Sequence, residues 1–139
     1  MKVQNKGGIT MNTWIIPCNI KYFDLFTHFE NTDWMLWKGV SKTSVGDIVY
    51  LYLGSPYSEI RYKCRVSEIN VNQEEVKKSG IDLLLKETKN RKNMIRIQLQ
   101  KVFPEKLFGY WTLKEHGLVS VQSQMRISKE LQDYLSSHE

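Results

Sequence analysis

Thr13-Trp14-Ile15-Ile16-Pro17-Cys18 is a short apolar run ended by proline, the pattern of a first strand that reaches the edge of a sheet. Tyr22, Phe23, Leu25, Phe26 and Phe29 follow at helical spacing. With Asn19 as a cap they predict a helix over 20–30, stopped by Asn31-Thr32-Asp33. Trp34-Met35-Leu36-Trp37-Lys38-Gly39 carries no clear period and reads as an aromatic-rich connector. After a turn at Val45-Gly46-Asp47, the unbroken run Ile48-Val49-Tyr50-Leu51-Tyr52-Leu53 predicts a strand covered on both faces. Gly54-Ser55-Pro56-Tyr57 turns the chain back. From Ile60 to Val71, apolar Ile60, Tyr62, Cys64 and Val66 alternate with Arg61, Lys63, Arg65 and Ser67, which predicts a half-buried return strand with a basic outer face.

Residues 73–92 are polar and read as a helix or long loop anchored by Ile81, Leu83, Leu84 and Leu85. Alternation returns from Met94 to Phe103, a strand ended by Pro104. Leu107 to Leu118 reads as helix or turn with Gly117 as its C-cap, and Val121 to Ile127 as a last strand. Ser128 caps a final helix over 129–137, where Leu131 and Leu135 stand four apart. Strands with interspersed short helices, no repeat and no linker imply an α+β fold around a small curved sheet or barrel. Residues 1–11 are expected to be a loose tail ahead of one domain over 12–139.

Composition narrows the classes. With 139 residues, 41% apolar and 25% charged, the chain supports one core and falls outside disordered and fibrous classes. It holds no apolar stretch of membrane-spanning length and no secretory leader pattern, so a cytoplasmic protein with no membrane partner is expected. Cys18 and Cys64 lie in strand-like text without metal-ligand spacing and read as free thiols of a reducing compartment.

Candidate chemistry is sparse. His28, His116 and His138 stand outside any nucleophile elbow, and no His, Cys, Asp or Glu cluster has metal spacing. Glu74-Glu75 suit a solvated helix start. No catalytic residue, metal or cofactor is assigned. Charge says more. The chain carries +5, yet residues 77–106 hold nine basic side chains against three acids, a net +6, so the remainder sums to −1. Such concentration suits phosphate contacts.

The aromatics are also in excess, with 4 Trp, 7 Tyr and 5 Phe. Trp34 and Trp37 sit in a connector, Tyr50 and Tyr52 share one strand face, and Tyr57 falls in the hairpin turn. A base pocket needs aromatic walls plus amide or hydroxyl groups for the base edge. Asn19, Ser55 and Gln122 offer those groups from three separate connections. Trp14, in a strand, reads first as core.

The order of these features resembles EVE domains, members of the PUA-like superfamily that also contains YTH and ASCH domains. The residues that carry the resemblance are Thr13-Trp14-Ile15-Ile16, the Trp34–Trp37 segment, Val45-Gly46-Asp47-Ile48-Val49-Tyr50-Leu51-Tyr52, and Cys64-Arg65-Val66-Ser67-Glu68-Ile69. The match covers residues 13–71, with 93–135 matching loosely. It implies a partly open β-barrel of five or six strands with helices at its mouths, and a pocket for a flipped, modified base of DNA or RNA. Carried onto this chain, the end of the Trp14 strand, Trp34 or Trp37, and Tyr52 would be the aromatic walls. Asn19 and Ser55 would face the pocket. Pro17-Cys18-Asn19 stands where such domains place a serine.

Three functions follow in order. The first is a nucleic-acid-binding domain that reads a modified base, with phosphates held by Arg61, Lys63, Arg65, Lys89, Arg91, Lys92 and Arg96. The second is a protein-interaction module that uses exposed aromatics. The third is an enzyme on RNA or a nucleoside, built from His28, Asp33, Glu59 and His116.

Overall fold

β1 (Thr13–Cys18) and β3 (Ile48–Leu53) run parallel, in register from Thr13 opposite Ile48 to Cys18 opposite Leu53. Around this pair the computed structural model, which describes residues 11–39, 42–78 and 93–139, builds a mixed α+β fold. α1 (Leu25–Asn31) and β2 (Trp34–Lys38) follow β1, and β4 (Glu59–Glu68) and α2 (Gln73–Lys78) follow β3. β5 (Met94–Val102), β6 (Phe108–Gly109), α3 (Tyr110–Glu115), β7 (Met125–Arg126) and α4 (Lys129–His138) complete the order. The sheet has seven strands in the order β2-β5-β4-β3-β1-β7, with β6 paired to β4. It is open: its edge strands β2 and β7 do not pair with each other. Just ahead of β7, the Gln124 side-chain amide donates to the carbonyl of Lys38 at the end of β2. The expected partly open barrel is thus an open mixed sheet with short flanking helices.

β3 is covered on both faces, as its unbroken apolar run requires. Val49, Leu51 and Leu53 enter a core with Trp14, Ile16 and Tyr62, roofed by α1 and α2. Tyr50 and Tyr52 enter a second core with Ile15, Phe103 and Phe108, roofed by α3 and α4. β4 does not keep the strict alternation that its sequence predicts. Leu51 faces Tyr62 but Tyr52 faces Ile60, so Arg61 is an extra, bulged residue and Ile60 turns to the second core.

Two other elements depart from expectation. The predicted connector 34–39 is edge strand β2, because β5, some 60 residues on, supplies an antiparallel partner (Trp34 opposite Gln98, Lys38 opposite Met94). The first helix starts at Leu25 rather than 20. Asn19 does not cap it but forms its own turn, its carbonyl accepting Tyr22 and Phe23 N–H and its Oδ1 accepting Lys21 N–H. Asp24 caps instead, its Oδ1 accepting Thr27 N–H at 3.2 Å and its Oδ2 the Thr27 hydroxyl at 2.8 Å. Those two bonds hold the Asp24 carboxyl below its usual pKa. β7 is shorter than the predicted 121–127. α4 is capped as expected, Ser128 Oγ accepting Leu131 N–H. The tail over 1–10 and the anchor Ile81 and Leu83–Leu85 lie outside the described residues. No described helix is long and apolar enough to cross a membrane.

Candidate functional site

Parallel strands whose connections diverge leave a crevice beyond their carboxyl ends. β1 and β3 end side by side, tied by Gly54 N–H to Cys18 O at 2.9 Å. From there one connection leaves for α1 and the other turns into β4. Between them opens a cleft of about 400 Å³ lined by Asn19, Ile20, Lys21, Ser55, Pro56 and Tyr57. The Asn19 turn spends its Oδ1 on Lys21 N–H, and its Nδ2 has no acceptor among the described residues. Ser55 adds a hydroxyl, Lys21 an exposed cation, and Tyr57 an aromatic wall. The Tyr57 ring is braced edge-on by Phe26 at 5.3 Å, and the Arg61 guanidinium lies over Phe26 at 5.2 Å.

Behind this wall the bulge at Arg61 faces a buried acid. Glu59, 1% exposed, takes Arg61 Nη2 on Oε2 at 3.1 Å and Lys106 N–H on Oε1 at 2.7 Å. Arg61 Nε is buried with no hydrogen-bond partner among the described residues. The pair ties the β3–β4 end to the segment before β6, so the cleft is built on a fixed floor.

The seven sequence-predicted pocket residues separate into five places. Asn19 and Ser55 share the cleft. Trp14 is buried, its Nε1–H donating to Asp47 Oδ2 at 2.9 Å. Trp34 and Trp37 lie on β2: Trp34 carries the Arg96 guanidinium on its ring at 4.4 Å, and Trp37 packs edge-on against Phe23 at 5.6 Å. Tyr52 is in the second core, across the sheet from both tryptophans. Burial raises its pKa, against a bond from Ser58. Gln122 is exposed ahead of β7 and does not line the cleft.

The predicted phosphate contacts divide by partner. Arg61 pairs with Glu59. Lys63 Nζ reaches Glu139 Oε1 at 2.6 Å, whose other oxygen accepts the Tyr50 hydroxyl. Arg96 binds Glu68 at 3.1 Å and also Glu75. Arg65 is exposed and has no ion pair among the described residues. It lines a shallow groove of about 210 Å³ with Ser67, Gln98 and Gln100. Lys89, Arg91 and Lys92 lie outside the described residues. Ile20, Lys21, Pro56 and Tyr57 are the cleft residues that the sequence did not single out as site residues. The signal for them was positional, since they follow the ends of two strands, but the parallel pairing of those strands was not legible.

Other chemistry is dispersed. No group of three or more His, Cys, Asp or Glu among the described residues is arranged for a metal. His28 Nε2 bonds Trp34 O at 2.7 Å, and His116 stacks on Tyr134 at 3.7 Å. Glu59 serves its ion pair. Nothing brings two of His28, Asp33, Glu59 and His116 into one of the described clefts.

No protein-family model matches the chain, and neither does any curated protein sequence. Solved structures do resemble it. ASCH from Zymomonas mobilis aligns over 91% of this chain and 94% of its own, at 12% identity and a TM-score of 0.65. A hypothetical protein from Leishmania major aligns over 92% and 94%, at 13% identity and 0.63. The human THYN1 protein, solved in complex with DNA containing 5-methylcytosine, aligns over 91% and 96%, at 12% identity and 0.61. At these identities the likeness establishes the fold alone, an open mixed α+β sheet shared with ASCH and THYN1.

Proposed function

We propose that the protein binds nucleic acid, holding a base of DNA or RNA in the cleft at the carboxyl ends of β1 and β3. One observation carries this reading: an aromatic wall (Tyr57), two small polar groups (Asn19 and Ser55) and an exposed cation (Lys21) converge on one crevice. A base offers a flat face to stack, an edge to hydrogen-bond and a phosphate to neutralise, and these groups answer each. The cleft is within the size range of small-ligand sites. Arg65 and the basic run through residues 89–92 add phosphate contacts that orient the strand without reading sequence.

The human THYN1 protein, alike in fold, is solved with DNA containing 5-methylcytosine. That supports a nucleic-acid ligand. The order of Trp14, the Trp34–Trp37 segment and Val45-Gly46-Asp47 favours the EVE branch of the PUA-like group, and with it the finer reading, selection of a modified base.

Chemical-shift mapping with a short single-stranded oligonucleotide tests the placement. The largest shifts are expected at residues 19–21 and 54–58. Shifts confined to β2 and β5 would instead return the site to Trp34 and Trp37.

A further inference from the structure

Trp111 is 73% exposed, whereas the other three tryptophans are buried or half-buried. An indole left in water forfeits the burial that makes tryptophan useful to a core. It stands on α3 with Tyr110 edge-on at 5.2 Å. The Lys114 ammonium lies 5.4 Å from the indole centroid and 5.9 Å from that of Tyr110. The apolar face therefore carries its own cation. It is also tied to the cleft: Tyr110 N–H donates to Ser58 O at 2.9 Å, in the turn that presents Ser55, Pro56 and Tyr57.

We propose that Trp111 is a stacking platform for the nucleotide next to the one held in the cleft, with Lys114 on its phosphate. This rests on the nucleic-acid reading above and extends it from one base to a path along a strand. The occupant follows from charge. Lys114 makes no ion pair among the described residues, so an apolar protein surface packed on Trp111 would desolvate an unpaired ammonium, which is unfavourable. A stacked nucleotide brings a π-face for the indole and a phosphate for the ammonium together.

The test measures binding of a fluorescein-labelled single-stranded DNA decamer and of the mononucleotide 5-methyl-dCMP to wild type, Trp111→Ala, Trp111→Phe and Tyr57→Ala. Because Trp111 is exposed, its variants should keep the wild-type thermal midpoint. Trp111→Ala is expected to weaken decamer binding about tenfold, the loss of one stacked base. Trp111→Phe should keep most of the affinity, and mononucleotide binding should not change. Decamer binding unchanged in Trp111→Ala but lost in Tyr57→Ala would overturn the platform and leave the cleft reading intact. No decamer binding by wild type would overturn both. If Trp111→Ala only converted a self-associating protein to monomer in sedimentation, a second copy would be the occupant and the proposal would fail.

Discussion

The indole N–H of Trp14 donates to Asp47 Oδ2 at 2.9 Å, joining two residues 33 positions apart. Asp47 is fully buried, and its carboxylate also accepts Asn12 N–H at 3.1 Å and Ser44 N–H at 2.9 Å. The two sequence features that stood out separately, a tryptophan in the first strand and Val45-Gly46-Asp47, are one device. Gly46 takes φ +96°, a turn that side-chain-bearing residues resist, and Asp47 gathers three donors. The device starts β1 and β3 in parallel register and so sets where both strands end, at the cleft.

Asp47→Ala leaves the buried Trp14 indole N–H and the part-buried Asn12 and Ser44 N–H groups without their acceptor and should destabilise the fold by about 3 kcal/mol. Trp14→Phe keeps the packing but removes one donor and should lose about 1–2 kcal/mol. In urea denaturation the double variant should fall short of the sum of the singles by about 1 kcal/mol. Additive losses would mean the bond contributes nothing.

The Glu59–Arg61 pair should behave as a buried ion pair. Glu59→Ala strands the Arg61 charge and frees Lys106 N–H, a loss of about 3–5 kcal/mol. The double variant Glu59→Leu, Arg61→Met removes both charges and should recover at least half of that by denaturant titration. No recovery would show that the bond to Lys106, rather than the charge balance, holds this end of the sheet.

Alkaline pH should weaken the fold. Burial raises the Cys18 and Cys64 thiols from 9.0 to about 12 and the Tyr62 hydroxyl from 10.0 to about 12. Above pH 9 the unfolded chain releases thiol protons that the folded chain retains, so stability is full below pH 9 and declines towards pH 12. Each proton contributes a slope of up to about 1.4 kcal/mol per pH unit. Urea titrations at pH 8, 9 and 10 should show this decline, and Cys64→Ala should make it shallower. Stability that is flat across this range would contradict the burial of both thiols. Ellman's reagent should modify neither cysteine until the chain unfolds.

Local chemistry was the legible part of the sequence. Ser128 capping α4, the two-faced run of β3 and the β3–β4 hairpin each depend on residues close in the chain. Long-range pairing was not legible: β2 looked like a connector because its partner lies beyond residue 93, and the β1–β3 pairing gave no local sign. The bulge at Arg61 hid behind a perfect alternation, since only the strand opposite shows that Tyr52 meets Ile60. For the site, residue type led to Asn19 and Ser55, which do share a cleft. It also favoured tryptophans, whereas the aromatic in that cleft is Tyr57 and the exposed indole is Trp111. Aromatic excess marks surfaces and cores alike, and only placement separates them.

The proposed binding surface is the cleft between residues 19–21 and 55–57. The most direct test titrates wild type, Tyr57→Ala and Lys21→Glu with labelled single-stranded oligonucleotides carrying cytosine or 5-methylcytosine, at low and moderate salt. Wild type should bind, more weakly as salt rises. Tyr57→Ala should lose about tenfold with the fold intact, the share of one stacked base. Cleft variants that bind as tightly as wild type would contradict the account.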